Sequence, residues 1–384
     1  MSVTVPATAL KVQGVPGSEQ DIRCGILVRG KQVVKSVRWW ADAALNKVSA
    51  VRNDRRIDRY QRKTADQIRR VILSQHPERA IPDAIEKTIN EYARDVLGSA
   101  QFIPWLQTYT VVRGQFMEGW VPDNYFARVL RPSFNKVAEH LGEKTLVRQL
   151  LGSDLFPDLA SRVRGCWRDA NGVPITQAQA KQKIFAQADT VFLKLESSNR
   201  GIGVKKLHVD DFDTMDIPAS ANFVIQSWIH QHAFFDTWNR SGCATVRLTT
   251  YKMPASPAET RASFVRFPGQ NTEAVISASS WKVAVDVATG SFTGPLYDAD
   301  WKPSDTYGEG GPAINTAEIP QFQNLCRAVE ALHDRVPHLT VIGWDVILDK
   351  DDNIQIMELN TRHPDIKFSE AATGPHFSDL ILPR

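Results

Sequence analysis

Three residues near the C-terminus could do chemistry together. In "GWDVILDKDDNIQIMELN" (343–360), Asp345, Glu358 and Asn360 interrupt two runs that otherwise alternate apolar residues with a period of two. "VIGWDVIL" and "IQIMELN" read as strands and "DKDDN" as the turn between them. With a loop from Lys350 to Asn353, Asp349 faces Ile354, Ile347 faces Ile356 and Asp345 faces Glu358. Asn360, two residues further on, shares that face. Two like charges directly opposed in a sheet destabilise it unless something cationic sits between them. Two carboxylates and an amide oxygen are hard oxygen ligands of the kind Mg²⁺ takes, with phosphate oxygens completing its shell. A solvated acidic face is the plainer alternative. A calcium loop is excluded, because Ile354 stands where such a loop needs Gly and Asn360 where it needs a bidentate Glu.

A magnesium–phosphate site requires a phosphate binder. "VFLKLESSNRGIGV" offers one: a strand carrying Lys194 among apolar residues, a polar loop with Ser198, Gly201 and Gly203, then a second strand. Glycines let backbone N–H groups approach phosphate oxygens closely. The Gly-Lys-Ser/Thr ending of a Walker A loop is absent, and a plain Gly-X-Gly turn fits the same residues. "ANFVIQSWIHQH" then brings an apolar strand, Gln226, and a segment through Trp228 and Ile229 to His230 and His232. Such a segment could pair its backbone with the edge of a purine. "SGCATVRLTTY" puts Arg247 inside a strand of small and β-branched residues, where it needs an anion, either phosphate or a protein carboxylate.

The elements that must position these residues follow from the periodicity. From 41 to 98 the pattern is mostly helical, broken at "HPERAIPD". Within it, 51–72 reads as an amphipathic helix with a basic face and apolar positions at Ile57, Tyr60, Thr64, Ile68 and Val71/Ile72. "TYTVVRGQF" predicts a strand, and "VPDNYFARVLRPSFNKVAEHL" a helix interrupted by Pro132. "EKTLVRQLLG" and 178–187 predict short helices, and strands dominate afterwards until the amphipathic helix of 318–336. The class is α+β. Four segments are expected: a mostly helical basic region at 1–104, a linking region with Lys144 at 105–189, a subdomain with the Gly loop and hinge at 190–238, and one with Arg247 and the acidic hairpin at 239–384.

Composition narrows the classes. The 384 residues are 42% hydrophobic and 23% charged, as in ordinary globular proteins. No run approaches the roughly 18 apolar residues of a membrane span. The N-terminus lacks the basic start and apolar core of a signal peptide. Cys24, Cys166, Cys243 and Cys326 are scattered, which suits free thiols in a cytoplasmic protein. The net charge of +3 gives no case for nucleic acid.

The order of Lys strand, Gly loop, hinge, Arg strand and acidic hairpin resembles the ATP-grasp superfamily over roughly 105–377, most closely its sugar-transfer-associated branch, related to α-L-glutamate ligases. "VPDNYFARVLRPSFN", "VFLKLESSNRGIGV", "VIQSWIHQH", "ATVRLTTY" and above all "IGWDVILDKDDNIQIMELN" carry the resemblance. It implies two α+β subdomains gripping ATP. Lys144 and Lys194 would contact phosphates, Ser198 to Gly203 would close over them, and Gln226 with the backbone through Trp228 and Ile229 would hold adenine. Asp345, Glu358 and Asn360 would hold Mg²⁺, and Arg247 would contact the transferred phosphoryl group. His232 matches a histidine of the branch. Glu143 stands where an Asp usually precedes the lysine, Ala244 replaces a usual Asn, and "AVISASSWKVAV" departs on the substrate side. Arg266, Lys282 and Arg362 are candidate substrate contacts. The implied activity joins a small-molecule carboxylate to an amine through an acyl phosphate, with room for a homo-oligomer. A kinase acting on a small-molecule hydroxyl and a non-catalytic nucleotide-binding module are the alternatives.

Overall fold

The computed structural model describes residues 56–384, apart from 138–140, 197–202, 219, 240–241, 270–278, 315 and 383–384. The helical pattern expected at 41–55 therefore lies outside the described residues, as do Ser198 and Gly201. Contacts divide the chain into Met1–Tyr60 and Gln61–Arg384. Of the first unit only 56–60 is described, and it is helical. Ile57 and Tyr60 are exposed there, so they do not belong to a buried stripe.

The second unit opens with helix α1, which runs to residue 75 and buries Ala65, Ile68 and Ile72 at helical spacing. Helices α2 (Asp83–Glu91) and α3 (Ile103–Arg113) follow. The strand expected at "TYTVVRGQF" is the end of α3. Its β-branched residues misled because the helix is buried on every side, from Trp105 and Leu106 to Val111 and Val112, which erases the polar face that reveals a helix. Thr108 and Thr110 turn their hydroxyls back onto the carbonyls of Pro104 and Leu106, each at 2.8 Å, so neither hydroxyl is stranded. Gly114, at φ +85°, ends the helix in the left-handed conformation.

The next run, α4, passes from Asp123–Tyr125 through a π-helical turn at Phe126–Leu130 to Arg131–Phe134. Pro132 lies inside this run instead of interrupting it, two residues past the widened turn. Helix α5 (Lys144–Leu151) ends at Gly152, as its sequence predicts.

Two antiparallel sheets carry the rest. The first has the order β2-β1-β5-β3-β4, from β1 (Asp158–Val163), β2 (Cys166–Asp169), β3 (Thr190–Leu195), β4 (Val204–His208) and β5 (Phe223–Gln226). Helix α6 (Gln177–Ile184) joins its core through Ala180 and Ile184. The second has the order β10-β9-β8-β7-β6-β11-β12. Its strands are β6 (Thr245–Tyr251), β7 (Glu259–Phe267), β8 (Trp281–Val285), β9 (Phe292–Tyr297), β10 (Pro303–Ser304), β11 (Val341–Leu348) and β12 (Ile354–Asn360). Alternation gives this sheet two different faces. Val246, Leu248, Val265, Val283, Trp344 and Val346 share a core with Leu325, Val329 and Leu332 of helix α7 (Phe322–His333). The other face presents Arg247, Phe264 and Asp345, with helix α8 (Ile366–Ala372) against it through Phe368, whose ring lies 5.0 Å from that of Phe264.

Candidate functional site

The acidic hairpin pairs as the sequence predicts at its critical point: Asp345 faces Glu358 and Gly343 faces Asn360. Towards the turn the prediction needs correction, because Ile347 faces Gln355 and Leu348 faces Ile354. The turn starts one residue early. The Asp349 carboxylate accepts the N–H groups of Asp351 and Asn353, each at 2.9 Å, and pulls Asp349 into the loop. A bulge between Val346 and Asp345 then takes up one residue and restores the 345/358 pair.

Across β11, Asp345 faces Arg247 of β6. Arg247 grips it with both prongs, Nε donating to Oδ1 at 2.7 Å and Nη2 to Oδ2 at 2.9 Å, while Nη1 donates to the Pro364 carbonyl at 3.0 Å. Arg247 is 2% exposed and Asp345 8%, so this is a buried bidentate pair. Burial pushes the Asp345 carboxyl up, but Arg247, Arg266 and the Asn360 amide outweigh it and hold it below its ordinary range. Asn360 donates to Asp345 Oδ2 at 3.2 Å. Glu358 is answered by Lys144, whose Nζ is 3.5 Å from Oε1. Protein cations therefore already offset the two opposed acids.

Lys144 reaches Glu358 because helix α5 is seated by a residue that the sequence did not flag. Glu196, immediately after β3, accepts the Lys144 N–H at 2.6 Å through Oε1, and the Thr145 N–H at 3.0 Å and hydroxyl at 2.7 Å through Oε2. It does the capping that Glu143, at the N-cap position, does not. Asn135, buried just past α4, is a second such residue. Its Oδ1 accepts the N–H of Thr340 and its Nδ2 donates to the carbonyls of Val341 and Thr361, which pins both ends of the hairpin strands. Nothing local marks either residue beyond its place at the end of an element.

Lys194 extends from β3 on the side opposite the buried Val191 and Leu193. Desolvation pushes its ammonium down to about 8, against the pull of Glu358 and Asp158, so the lysine lies in the same electrostatic neighbourhood as the hairpin acids. Gly203 closes the loop end, its carbonyl accepting the Leu195 N–H at 3.1 Å. Gln226 donates to Asp158 Oδ1 at 2.7 Å, while its own Oε1 is buried without a hydrogen-bond partner. Beyond it, Trp228 stacks on Phe192 with centroids 4.9 Å apart, and Lys206 sits 4.7 Å over the indole. Ile229 is buried. His232 is engaged on both nitrogens: Nδ1 accepts the Phe234 N–H at 3.0 Å, and Nε2 is 3.5 Å from Asp352 in the hairpin turn. In this structure it stitches the hinge to the hairpin.

Arg266 and Lys282 face each other across β7 and β8 on the face of Arg247, whereas Arg362 is exposed on the connection after β12. Among the described residues no group of three or more His, Cys, Asp or Glu could hold a metal ion. The donor set for a cation is Asp345, Glu358 and the Asn360 amide. Mg²⁺ is ordinarily bound by one or two carboxylates together with water and phosphate oxygens, so that set fits. No helix among the described residues is long and apolar enough to cross a membrane.

Residues 215–380 match a family model described as sugar-transfer associated ATP-grasp. No curated protein matches the chain. Among solved structures, it is similar to the biotin carboxylase domain of Hydrogenobacter thermophilus 2-oxoglutarate carboxylase, at 11% identity over 67% of this chain and 49% of that one, with a TM-score of 0.41. It is also similar to a D-cycloserine synthetase, at 14% identity over 64% of this chain and 70% of that one, with a TM-score of 0.35. A third is D-alanyl-alanine synthetase A from Vibrio cholerae, at 14% identity over 63% of each chain, with a TM-score of 0.36. The chain spans about half the length of the first solved structures it matches. The matched segment 215–380 holds the hinge, the Arg247 strand and the acidic hairpin, and is similar to the sugar-transfer associated ATP-grasp family; the fold is mixed helix and antiparallel sheet.

Proposed function

We propose that this protein is an ATP-dependent ligase that joins a small-molecule carboxylate to an amine. The observation that carries this is the row Glu358–Asp345–Arg247 across three adjacent strands, with the ammonium groups of Lys144 and Lys194 gathered at its acidic end. Acids and bases interleaved in this way match a magnesium–polyphosphate ligand: Lys144 and Lys194 for phosphate oxygens, and Glu358, Asn360 and Asp345 for the cation. Mg²⁺ bound there would neutralise charge that builds on the transferred phosphoryl group. The buried orphan oxygen of Gln226 and the apolar hinge at Trp228–Ile229 suit the donor edge of adenine.

In the reaction, a substrate carboxylate oxygen attacks the γ-phosphorus, the bond to the β-phosphate oxygen breaks, and ADP leaves. The amine then attacks the acyl carbon, loses its proton, and phosphate departs. A carboxylate is already ionised at neutral pH, so the first step asks the protein for positioning and charge and not for a base. Arg247 spends three of its five N–H donors on Asp345 and Pro364, which leaves two for a phosphoryl oxygen. Asp345 holds that guanidinium in a fixed orientation, which is how preorganised charge lowers a barrier.

The test is ADP release from Mg·ATP with pooled carboxylic acids, with and without pooled amines, and with hydroxylamine as a trap for the acyl phosphate. Release that needs both pools, with hydroxamate formed from the acid pool, is expected. A stable phosphorylated product with no hydroxamate would replace the ligase with a kinase. Arg247→Lys, which keeps the charge but loses the fork, should lower kcat by about 10²–10³.

A further inference from the structure

The polar face of the second sheet does not end at Arg247. The next strands bring Arg266 and Lys282 into register, and Asp365 and Lys367, at the start of α8, complete a charged cluster beside them. Arg266 Nη2 is 3.2 Å from Asp365 Oδ2, and Lys367 Nζ is 2.8 Å from Oδ1. Asp345 is already matched by Arg247, so three cations here face the single carboxylate of Asp365. Burial pushes Asp365 up, but Lys367, Lys282, Arg266 and Arg247 together hold it far below the usual carboxylate range.

The contact that joins the start of α8 to the sheet is Arg266 with Asp365, since Lys367 lies on α8 itself. Arg266 gives Asp365 one Nη2 hydrogen bond and Lys367 pairs with its other oxygen, which leaves Lys282 with no carboxylate of its own among the described residues. Arg266 is 13% exposed along its side chain, and its Nε is buried without a hydrogen-bond partner. Among the described residues no carboxylate lies within ion-pair distance of the Lys282 ammonium. It faces three rings instead, those of Phe368 at 5.5 Å, Trp301 at 5.7 Å and Phe264 at 6.0 Å. Burial pushes that lysine down to about 8, a penalty that an anion beside it would reverse. Two desolvated cations side by side on one strand pair repel each other, and the one carboxylate they share, Asp365, is also paired with Lys367.

We propose that Arg266 and Lys282 form a subsite for a second anionic group of the substrate acid, a carboxylate or a phosphate, so that the acid is a dianion held between this subsite and Arg247. Placement of its reacting carboxylate near Arg247 rests on the ligase proposal. The anion subsite itself does not, because Arg266, Lys282 and their surroundings exist whatever reaction follows.

The test is a binding measurement on the full chain without nucleotide. Calorimetry compares dicarboxylates of three to seven carbons and the phosphono acids of the same lengths with monocarboxylates of equal length, at low salt. At least one dianion should bind ten- to a hundredfold more tightly than its monoanion, the range of one or two charge-assisted hydrogen bonds. The better arm, dicarboxylate or phosphono acid, identifies the group. Lys282→Met and Arg266→Gln should each erase most of that preference while leaving Mg·ATP affinity within about twofold. Two variants are used so that a folding defect in one does not decide the matter, and thermal melts identify such a defect. Equal binding of mono- and dianions, or a preference that survives in both variants, overturns the proposal. A preserved preference for dianions in wild type, lost in the variants, together with no ADP release from any acid, upholds the subsite and refutes the ligase.

Discussion

Replacing Arg247 by Met retains most of the stem that fills the space and removes the guanidinium, so the change isolates the charge. Asp345, 8% exposed, then keeps only the Asn360 donor at 3.2 Å in place of two contacts at 2.7 and 2.9 Å. The Pro364 carbonyl also loses its donor at 3.0 Å. Removing one member of a buried ion pair costs about 3–5 kcal/mol, because the survivor stays desolvated and unpaired. Arg247→Met should lower unfolding stability by that amount in urea titrations followed by tryptophan fluorescence. Asp345→Asn removes the other charge, and the double variant should recover at least about 2 kcal/mol of the summed losses, since no lone charge is left. The pH dependence has a definite sign. Asp345 in the native protein is held below its ordinary value, so its contribution is complete above about pH 4 and is lost as pH falls further. Without Arg247, burial alone raises that carboxyl, and acid then neutralises the unpaired charge. The gap between wild type and Arg247→Met should therefore narrow as pH falls through the carboxylate range. A loss below about 1 kcal/mol, or strictly additive effects in the cycle, would refute the idea that this pair organises the row.

Three further outcomes follow from the same geometry. Glu358 is 38% exposed and 3.5 Å from Lys144, so Glu358→Gln should change stability by less than about 1 kcal/mol and yet abolish turnover and magnesium-dependent nucleotide binding. A Glu358→Gln protein with wild-type turnover would sink the cation assignment. Glu196→Ala removes the acceptor of two backbone N–H groups and one hydroxyl at the start of α5 and should cost about 1–2 kcal/mol. A melting temperature unchanged within a degree would show that α5 is seated by other contacts. His333 is fully buried, receiving Thr250 at 2.7 Å on Nδ1 and donating to the Leu339 carbonyl at 2.9 Å, and burial pushes it down to about 4. Its native value lies below the unfolded one, so stability is full above about pH 6.5 and falls by roughly 3 kcal/mol towards pH 4. His333→Gln should flatten that slope apart from the shares of His376, which burial likewise pushes down to about 4, and of His363, which burial also lowers; an unchanged slope would exclude His333 as the titrating group.

The acidic hairpin was legible because strands announce themselves by period two and a short connection leaves few registers. Asp345 against Glu358 could be counted from the chain, and only the bulge beside them, created by the Asp349 turn, escaped. Lys194 on its strand, the Gly152 stop of α5 and the stripe of α7 were legible for the same reason, since each depends on neighbours a few residues away. Helix α3 failed where local pattern carries no signal, in an element buried on all sides. What answers the acids lay beyond any local pattern. Arg247 is 98 residues from Asp345, Glu196 is 52 from Lys144, and Asn135 is 206 from Val341. The sequence by itself determined which residues could carry charge and on which face of their own strand each would stand. Only the tertiary structure decided which charges meet, because sheet order and helix placement are set by burial of the whole core and leave no periodic trace along the chain.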